Sequence, residues 1–242
     1  MLDTNHPHTP EGIAARLNEG PKVHYLKEWV YGGIDGVVTT FAVVAAVIGA
    51  DLSAWIVLIM GLANLVGDGF SMAASAFSGA KAEKDNYKRL RKVELSHIEK
   101  YPEGEREETR QLFAAKGFEG EELESMVDMI SRDKDVWIEF MMSEEYGVTK
   151  PMGTPFQIGL HTFLAFLVCG SAPLIPYVFN FPQAPVLALA FSAITFFCIG
   201  AIKSRWSIKS WWVEGFTTTL IGLIAALLAY AIGFALSDFI PS

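Results

Sequence analysis

The sequence predicts an all-α, polytopic membrane protein, and two features of its charge distribution carry that prediction. Only 19% of the 242 residues are charged, whereas 51% are hydrophobic. The charges also avoid whole stretches of the chain, because no Asp, Glu, Lys or Arg lies between Lys150 and Lys203 or between Glu214 and Asp238. A helix needs about 20 apolar residues to cross the hydrocarbon core of a bilayer, so runs of this length indicate membrane spans.

Five apolar segments are long enough to span a membrane: residues 30–50, 52–77, 156–178, 185–202 and 216–236. A turn around Asp51 joins the first two segments. The FNFPQAP sequence at 179–185 separates the third from the fourth, because Pro and Asn interrupt helices. Pro173 and Pro176 lie inside the third segment and predict a kink or an end to the helix there.

A charged, helical body is predicted between the second and third spans. Residues 81–150 contain eighteen acidic and thirteen basic side chains, and Pro102 ends the helix that continues out of the second span. Leu112, Phe113, Met126, Ile130, Trp137 and Phe140 are the expected core of this body. The predicted domains are thus an N-terminal segment (1–29), spans one and two (30–77), the helical body (78–155) and spans three to five (156–242).

The basic residues predict the orientation in the membrane. All nineteen Lys and Arg fall in 1–29, 78–155 and 203–213, so the positive-inside rule makes these segments cytoplasmic and leaves the C-terminus outside. The N-terminal residues are polar, without the features of a signal or transit peptide. The expected location is a bacterial inner membrane.

Several function classes are disfavoured by composition. A net charge of -8 argues against a nucleic-acid-binding protein. Cys169 and Cys198 lie in apolar runs, so a four-thiolate zinc site and a disulfide-stapled scaffold are excluded. The chain has no phosphate-binding loop, nucleophile elbow or HExxH pair. We therefore expect that it is not an enzyme and that it has no prosthetic group.

The first two spans contain polar residues that are costly in lipid. Asp35 lies near the start of the first span, where an ionised carboxylate suggests a transport role; the alternative is an interfacial residue that reaches water. In the second span Met60, Asn64, Asp68 and Met72 are spaced by four and share one helical face. Oxygen and thioether ligands together favour a first-row divalent metal such as ferrous iron, although methionines at helical spacing are often packing residues.

The helical body offers a second set of candidate ligands. Glu94 and His97, and Glu105 and Glu108, are three positions apart and share helix faces, and Met141 shares a face with Glu145 beside Met142. Carboxylates clustered on one face repel each other unless a cation lies between them. The alternative is an ordinary solvated acidic surface.

These segments together resemble the vacuolar iron transporter family over approximately residues 25–237. YGGIDGVVTTFAVVAAVIGA resembles the family's DG-x-VT-x-F signature, and GLANLVGDGFSMAASAF resembles its GLA…SMA segment. VELSHIEKYPEGEREE and WIEFMMSEEYGV are similar to its cytoplasmic metal-binding helices.

The resemblance implies a homodimer that exchanges cytosolic ferrous iron, and often manganese, for protons. It assigns transport to Asp35 and Met72, and metal binding to the positions Glu94, Glu105, Glu108, Met141, Met142 and Glu145. His97 stands where the family usually has glutamate; imidazole still binds such metals but is more sensitive to mild acid. Ser75-Ala76-Phe77 stands where the family usually has Gly-Glu-aromatic, so that carboxylate is absent here. Either Asp68 replaces it, or this chain differs in its metal or in its coupling to protons.

The sequence therefore predicts a proton-coupled antiporter that exports ferrous iron, or manganese, from the cytoplasm. Its expected partners are divalent ions, protons, the bilayer and a second copy of the chain. One rival is a membrane-anchored metal sensor or buffer without transport. A second rival is a carrier for another solute, in which the acidic loop is a regulatory domain.

Overall fold

The computed structural model describes residues 8–237, and this part of the chain contains helices and no strands. Residues 1–7 and 238–242 lie outside the described part. The prediction that the C-terminus is on the outer side falls on the second of these ranges. The helices are α1 (Pro10–Glu19), α2 (Leu26–Gly49), α3 (Ala54–Lys100), α4 (Pro102–Ala115), α5 (Gly120–Ser131), α6 (Lys134–Glu144), α7 (Pro155–Gly170), α8 (Ile175–Val178), α9 (Ala184–Lys203) and α10 (Trp211–Leu236).

Five helical segments in the described residues are long and apolar enough to cross a membrane, as the sequence predicts. They are Leu26–Gly49, Ala54–Lys100, Pro155–Val178, Ala184–Trp206 and Trp211–Leu236. The first and the last begin four or five residues before their predicted starts. A charged side chain such as Lys27 or Glu214 does not interrupt a helix, so the helices continue past the apolar segments.

The predicted breaks lie where the backbone leaves the helical region. Asp51, in the turn between α2 and α3, has a φ of 53°, and Asn180 and Gln183 have φ values of 50° and 62° in the turn before α9. In the third span α7 ends at Gly170, a 3₁₀ turn follows at Ala172–Leu174, and α8 completes the span. The kink expected from Pro173 and Pro176 is therefore confirmed.

The chain forms two compact units, and the first, up to Phe77 and from Thr154 onwards, contains four of the five segments and the part of Ala54–Lys100 up to Phe77. In this unit α2 is the most enclosed helix: 56% of its apolar window is buried, against 17% for α10. Small residues allow this enclosure. A Cβ on Gly36 would lie 2.5 Å from the Phe166 carbonyl oxygen of α7, and one on Gly233 of α10 would lie 2.1 Å from that of Ala46. Gly32 and Gly36 form a GxxxG pair on α2, a motif that permits such close helix approach.

The second unit, Ser78–Gly153, consists of the polar part of α3 with α4, α5 and α6. Of the predicted core residues, Phe113 and Trp137 are buried, and Leu112, Ile130 and Phe140 are partly buried. Met126 is only half-buried, and its neighbour Val127 is fully enclosed instead. Met141 and Met142, predicted as metal ligands, are also fully buried in this core.

Candidate metal centre and transport pathway

Three of the predicted ligands meet in the second unit. Glu94 and His97 are one turn apart near the end of α3, and Glu105 lies in the first turn of α4. One ligand atom from each of the three lies within 4.8 Å of the others. The helix break before Pro102 makes this possible, because it lets α4 bring Glu105 back towards the end of α3.

The two carboxylates of this group are buried. Glu94 is 0% exposed and Glu105 is 4% exposed. Glu94 Oε1 and Glu105 Oε2 have no hydrogen-bond partner among the described residues. A buried carboxylate oxygen without a donor is costly, since the water it has lost is not replaced. Two such oxygens within one group of candidate ligands indicate a site for a cation or a shared proton.

Burial and mutual repulsion act on the protonation of these carboxyls. Burial, followed by the charge of Glu94, raises the pKa of Glu105 to about 7. The pKa of Glu94 is also raised, chiefly by burial. Without a metal the pair therefore tends to hold a shared proton, and a dication that displaces it would satisfy both oxygens.

Glu108 and Glu145 extend the negative charge around the pair. Both are exposed, and the charge of Glu108 acts on Glu94, Glu105 and Glu145. Partial desolvation of its carboxyl, and then the charge of Glu108, raise the pKa of Glu145. The structure thus brings five predicted ligands into one electrostatic cluster, in which Glu94, His97 and Glu105 form the compact centre.

Met141 and Met142 lie in the adjoining apolar core. The Thr109 hydroxyl donates to the main-chain carbonyl oxygen of Glu105 at 2.7 Å, and its oxygen lies 3.5 Å from Met141 Sδ. Trp137 Nε1 donates to the same hydroxyl at 2.8 Å. Thr109 and Trp137 therefore fix α6 against the turn that carries Glu105.

Sequence reasoning missed Tyr146 as a member of this site. Its hydroxyl donates to Glu94 Oε2 at 3.3 Å, which satisfies one oxygen and leaves the other open. Burial, then the charges of Glu145 and Glu94, raise the pKa of this phenol, so it remains a donor at neutral pH. The sequence signal that could have identified Tyr146 was its position directly after Glu145, a predicted metal ligand.

In the first unit, the side chain of Asn64 in α3 bonds to Thr39 of α2. Asn64 Nδ2 donates to Thr39 Oγ1 at 3.2 Å, and Thr39 Oγ1 donates to the Asp35 carbonyl oxygen at 2.9 Å. Asp35 and Asn64 are both half-buried. Thr39 was not predicted; its bond to Asn64 joins α2 to α3, whereas its bond to Asp35 is to the main-chain carbonyl within α2.

The other members of the α3 stripe differ in exposure. Met72 is half-buried and packs against the apolar core of the first unit, whereas Asp68 and Met60 are exposed. Asp68 is nevertheless close enough for its charge to act on Asp35. Two carboxylates, an amide and a thioether thus occupy neighbouring positions on α2 and α3.

Comparison with known proteins identifies the relatives of this chain. A sequence model of the VIT family matches residues 26–234. The "Vacuolar iron transporter" of Toxoplasma gondii is 35% identical, over 86% of this chain and 73% of its own length. "Vacuolar iron transporter 1" of Eucalyptus grandis is 30% identical over 92% of each chain, and its namesake from Oryza sativa is 29% identical over 93% and 88%. With its five apolar segments the chain is an integral membrane protein, and it belongs to the VIT family.

Proposed function

We propose that this protein is a proton-coupled antiporter that moves ferrous iron, with manganese as a second substrate, out of the cytoplasm. The observation that carries the proposal is the buried pair Glu94 and Glu105, whose unpartnered oxygens lie beside His97. The named relatives are vacuolar iron transporters, which supports iron as the substrate.

The second unit is the proposed cytoplasmic collection site. Glu94, His97 and Glu105 hold the incoming ion, while Glu108 and Glu145 attract it and supply further oxygens. The imidazole beside the carboxylates favours ferrous iron or manganese over calcium or magnesium, which prefer oxygen ligands alone. Met141 and Met142 are proposed as thioether ligands from the core side.

Asp35, Met72, Asn64 and Asp68 form the proposed pathway through the membrane. Asp68 is exposed on an apolar segment of a single chain, where contact with lipid would be unfavourable. A second copy packed on this face would cover it and place two sets of carboxylates around one path. This argument supports a homodimer with the pathway between the subunits.

Competition between protons and metal provides the coupling. A protonated carboxyl is a poor metal ligand, so protons that enter from the more acidic side release the metal there. The deprotonated group is then ready for another ion from the cytoplasmic side. The cytoplasmic placement of residues 1–29 and 78–155 follows from the basic residues, and the bacterial inner membrane stays a prediction.

Flux into sealed proteoliposomes with an imposed pH gradient tests the proposal. We expect ferrous iron to accumulate on the acidic side and Asp35→Asn to reduce this flux to background. Asp51→Asn is the matched control, because Asp51 lies in the turn after α2 and should be dispensable. Metal binding without gradient-driven flux in the parent protein would instead identify a sensor or buffer, and full flux in Asp35→Asn would refute the pathway.

A further inference from the structure

A cavity of about 510 Å³ lies in the first unit where three apolar helices begin or end. Lys27 is in the first turn of α2, Lys203 is the last residue of α9, and Glu214 is in the first turn of α10. Ile34 of its lining directly precedes Asp35, but the lining includes none of the proposed metal ligands and none of the four pathway residues. The proposed transport function leaves it unexplained.

Two lysines line the polar side of this cavity: Lys203 forms an ion pair, and Lys27 forms none with the described residues. Lys203 Nζ lies 3.0 Å from Glu214 Oε2, and the Ser207 hydroxyl donates to Glu214 Oε1 at 2.9 Å. Glu214 is thereby satisfied, although its side chain is only 8% exposed. Because Lys27 forms no ion pair with the described residues, the cavity carries a net positive charge at its rim.

The remaining walls suit a lipid. Val30 and Ile34 of α2 provide an apolar surface next to Lys27, and Tyr31 and Trp206 stand at the mouth. Tyr31 is 59% exposed and Trp206 is 60% exposed. Exposed aromatic rings beside basic residues at the ends of spans are typical of the lipid headgroup level. Basic pockets between transmembrane helices bind anionic headgroups.

We propose that this cavity binds the phosphate headgroup of an anionic phospholipid. Lys27 and the exposed part of Lys203 hold the phosphate, Trp206 and Tyr31 pack beside the glycerol region, and Val30 and Ile34 contact the start of an acyl chain. A soluble phosphate would use the two ammonium groups alone, and it would leave the apolar wall and the aromatic rings without a function. The bound lipid joins the starts of α2 and α10 to the end of α9.

Native mass spectrometry of the delipidated, full-length protein tests this site. The protein is titrated with phosphatidylglycerol and, separately, with phosphatidylcholine of the same acyl chains. We expect selective retention of phosphatidylglycerol, and about fivefold weaker binding in Lys27→Gln, the factor expected for one basic residue near a membrane surface. Lys81→Gln makes the same charge change on an exposed position outside the cavity and should leave the affinity unchanged.

A second variant changes the affinity in the opposite direction. Glu214→Gln keeps a hydrogen-bonding side chain but releases the charge of Lys203, so phosphatidylglycerol should bind more tightly than to the parent protein. Equal retention of the two lipids would overturn the proposal, as would unchanged binding in Lys27→Gln. Displacement of the lipid by millimolar inorganic phosphate would identify a soluble-phosphate site and also overturn it.

Discussion

Nδ1 of His97 lies 3.4 Å from Oε1 of Glu105, although the imidazole side chain is 46% exposed and the carboxylate side chain only 5%. The two groups therefore connect the solvent to a buried pair of acids. In the proposed function, an ion that arrives from solution meets His97 at the rim before it reaches Glu94 and Glu105. We therefore propose the imidazole as the entry ligand and the two carboxylates as the inner ligands.

The raised pKa of Glu105 predicts a pH-dependent stability of the metal-free protein. Its folded-state pKa is about 7, against an ordinary value of 4.5. Because the folded state binds this proton more tightly than the unfolded state, the stabilisation is fully present below pH 4.5 and is lost as the pH rises through 7. Thermal melting of the metal-free protein in detergent between pH 5 and 8 measures this loss.

Glu105→Gln should flatten that pH dependence, because the amide has no proton to lose. Glu103→Gln, on an exposed position of the same helix, should retain the slope of the parent protein. Added manganese should raise the melting temperature more at pH 8 than at pH 6, since it competes with fewer protons. The same slope in Glu105→Gln and in the parent would show that this carboxyl is not the titrating group.

Replacement of His97 tests the entry ligand. We expect His97→Ala to weaken binding of manganese to the second unit by about tenfold or more, since loss of even a supporting group at a metal site costs about that factor. His97→Glu should restore binding and shift the preference from zinc towards manganese, because it exchanges nitrogen for a harder oxygen ligand. Isothermal titration of the full-length protein measures both effects. Unchanged affinity in His97→Ala would remove this residue from the site.

Much of the fold was predictable from the sequence for a simple reason. Charged residues are excluded from lipid, so the gaps between Lys150 and Lys203 and between Glu214 and Asp238 locate three spans directly. Proline positions located the break before α4 and the kink in the third span. Helix starts were less predictable, because the membrane boundary and the helix end are set by different interactions.

The site was predictable only in part. Spacing within a helix places Glu94 and His97 on one face. No helical periodicity relates these two residues to Glu105, which follows the break at Pro102. Their grouping with Glu105 came from the family resemblance. Thr39 and Tyr146 were missed because a single hydroxyl on a helix has no characteristic spacing. Their roles depend on contacts between helices, which are properties of the fold.

Met141 permits a test that separates its packing from metal binding. Met141→Leu conserves volume and should change the free energy of unfolding by less than about 1.5 kcal/mol. If the thioether is a ligand, binding of ferrous iron and cobalt should weaken while melting of the metal-free protein is nearly unchanged. Parallel titrations and melting curves distinguish the two effects. Unaltered metal affinity would confine Met141 to the core.

Gly36 tests whether small residues hold α2 against α7. A Cβ at this position would lie 2.5 Å from the Phe166 carbonyl oxygen and 2.9 Å from Phe166 Cα. Both are backbone atoms that cannot move aside without separating the helices, so Gly36→Ala should destabilise the protein by about 1–3 kcal/mol.

The matched control is Gly79→Ala in the helical interior of α3, where an added Cβ meets no atom within 4 Å. Alanine is the better helix former, so this variant should be neutral or more stable by up to about 1 kcal/mol. Melting temperatures in detergent compare the two substitutions, which add the same methyl group. Equal effects would mean that the tight approach of α2 and α7 does not limit stability. A loss confined to Gly36→Ala would attribute the destabilisation to helix packing, because both variants gain the same intrinsic helix propensity.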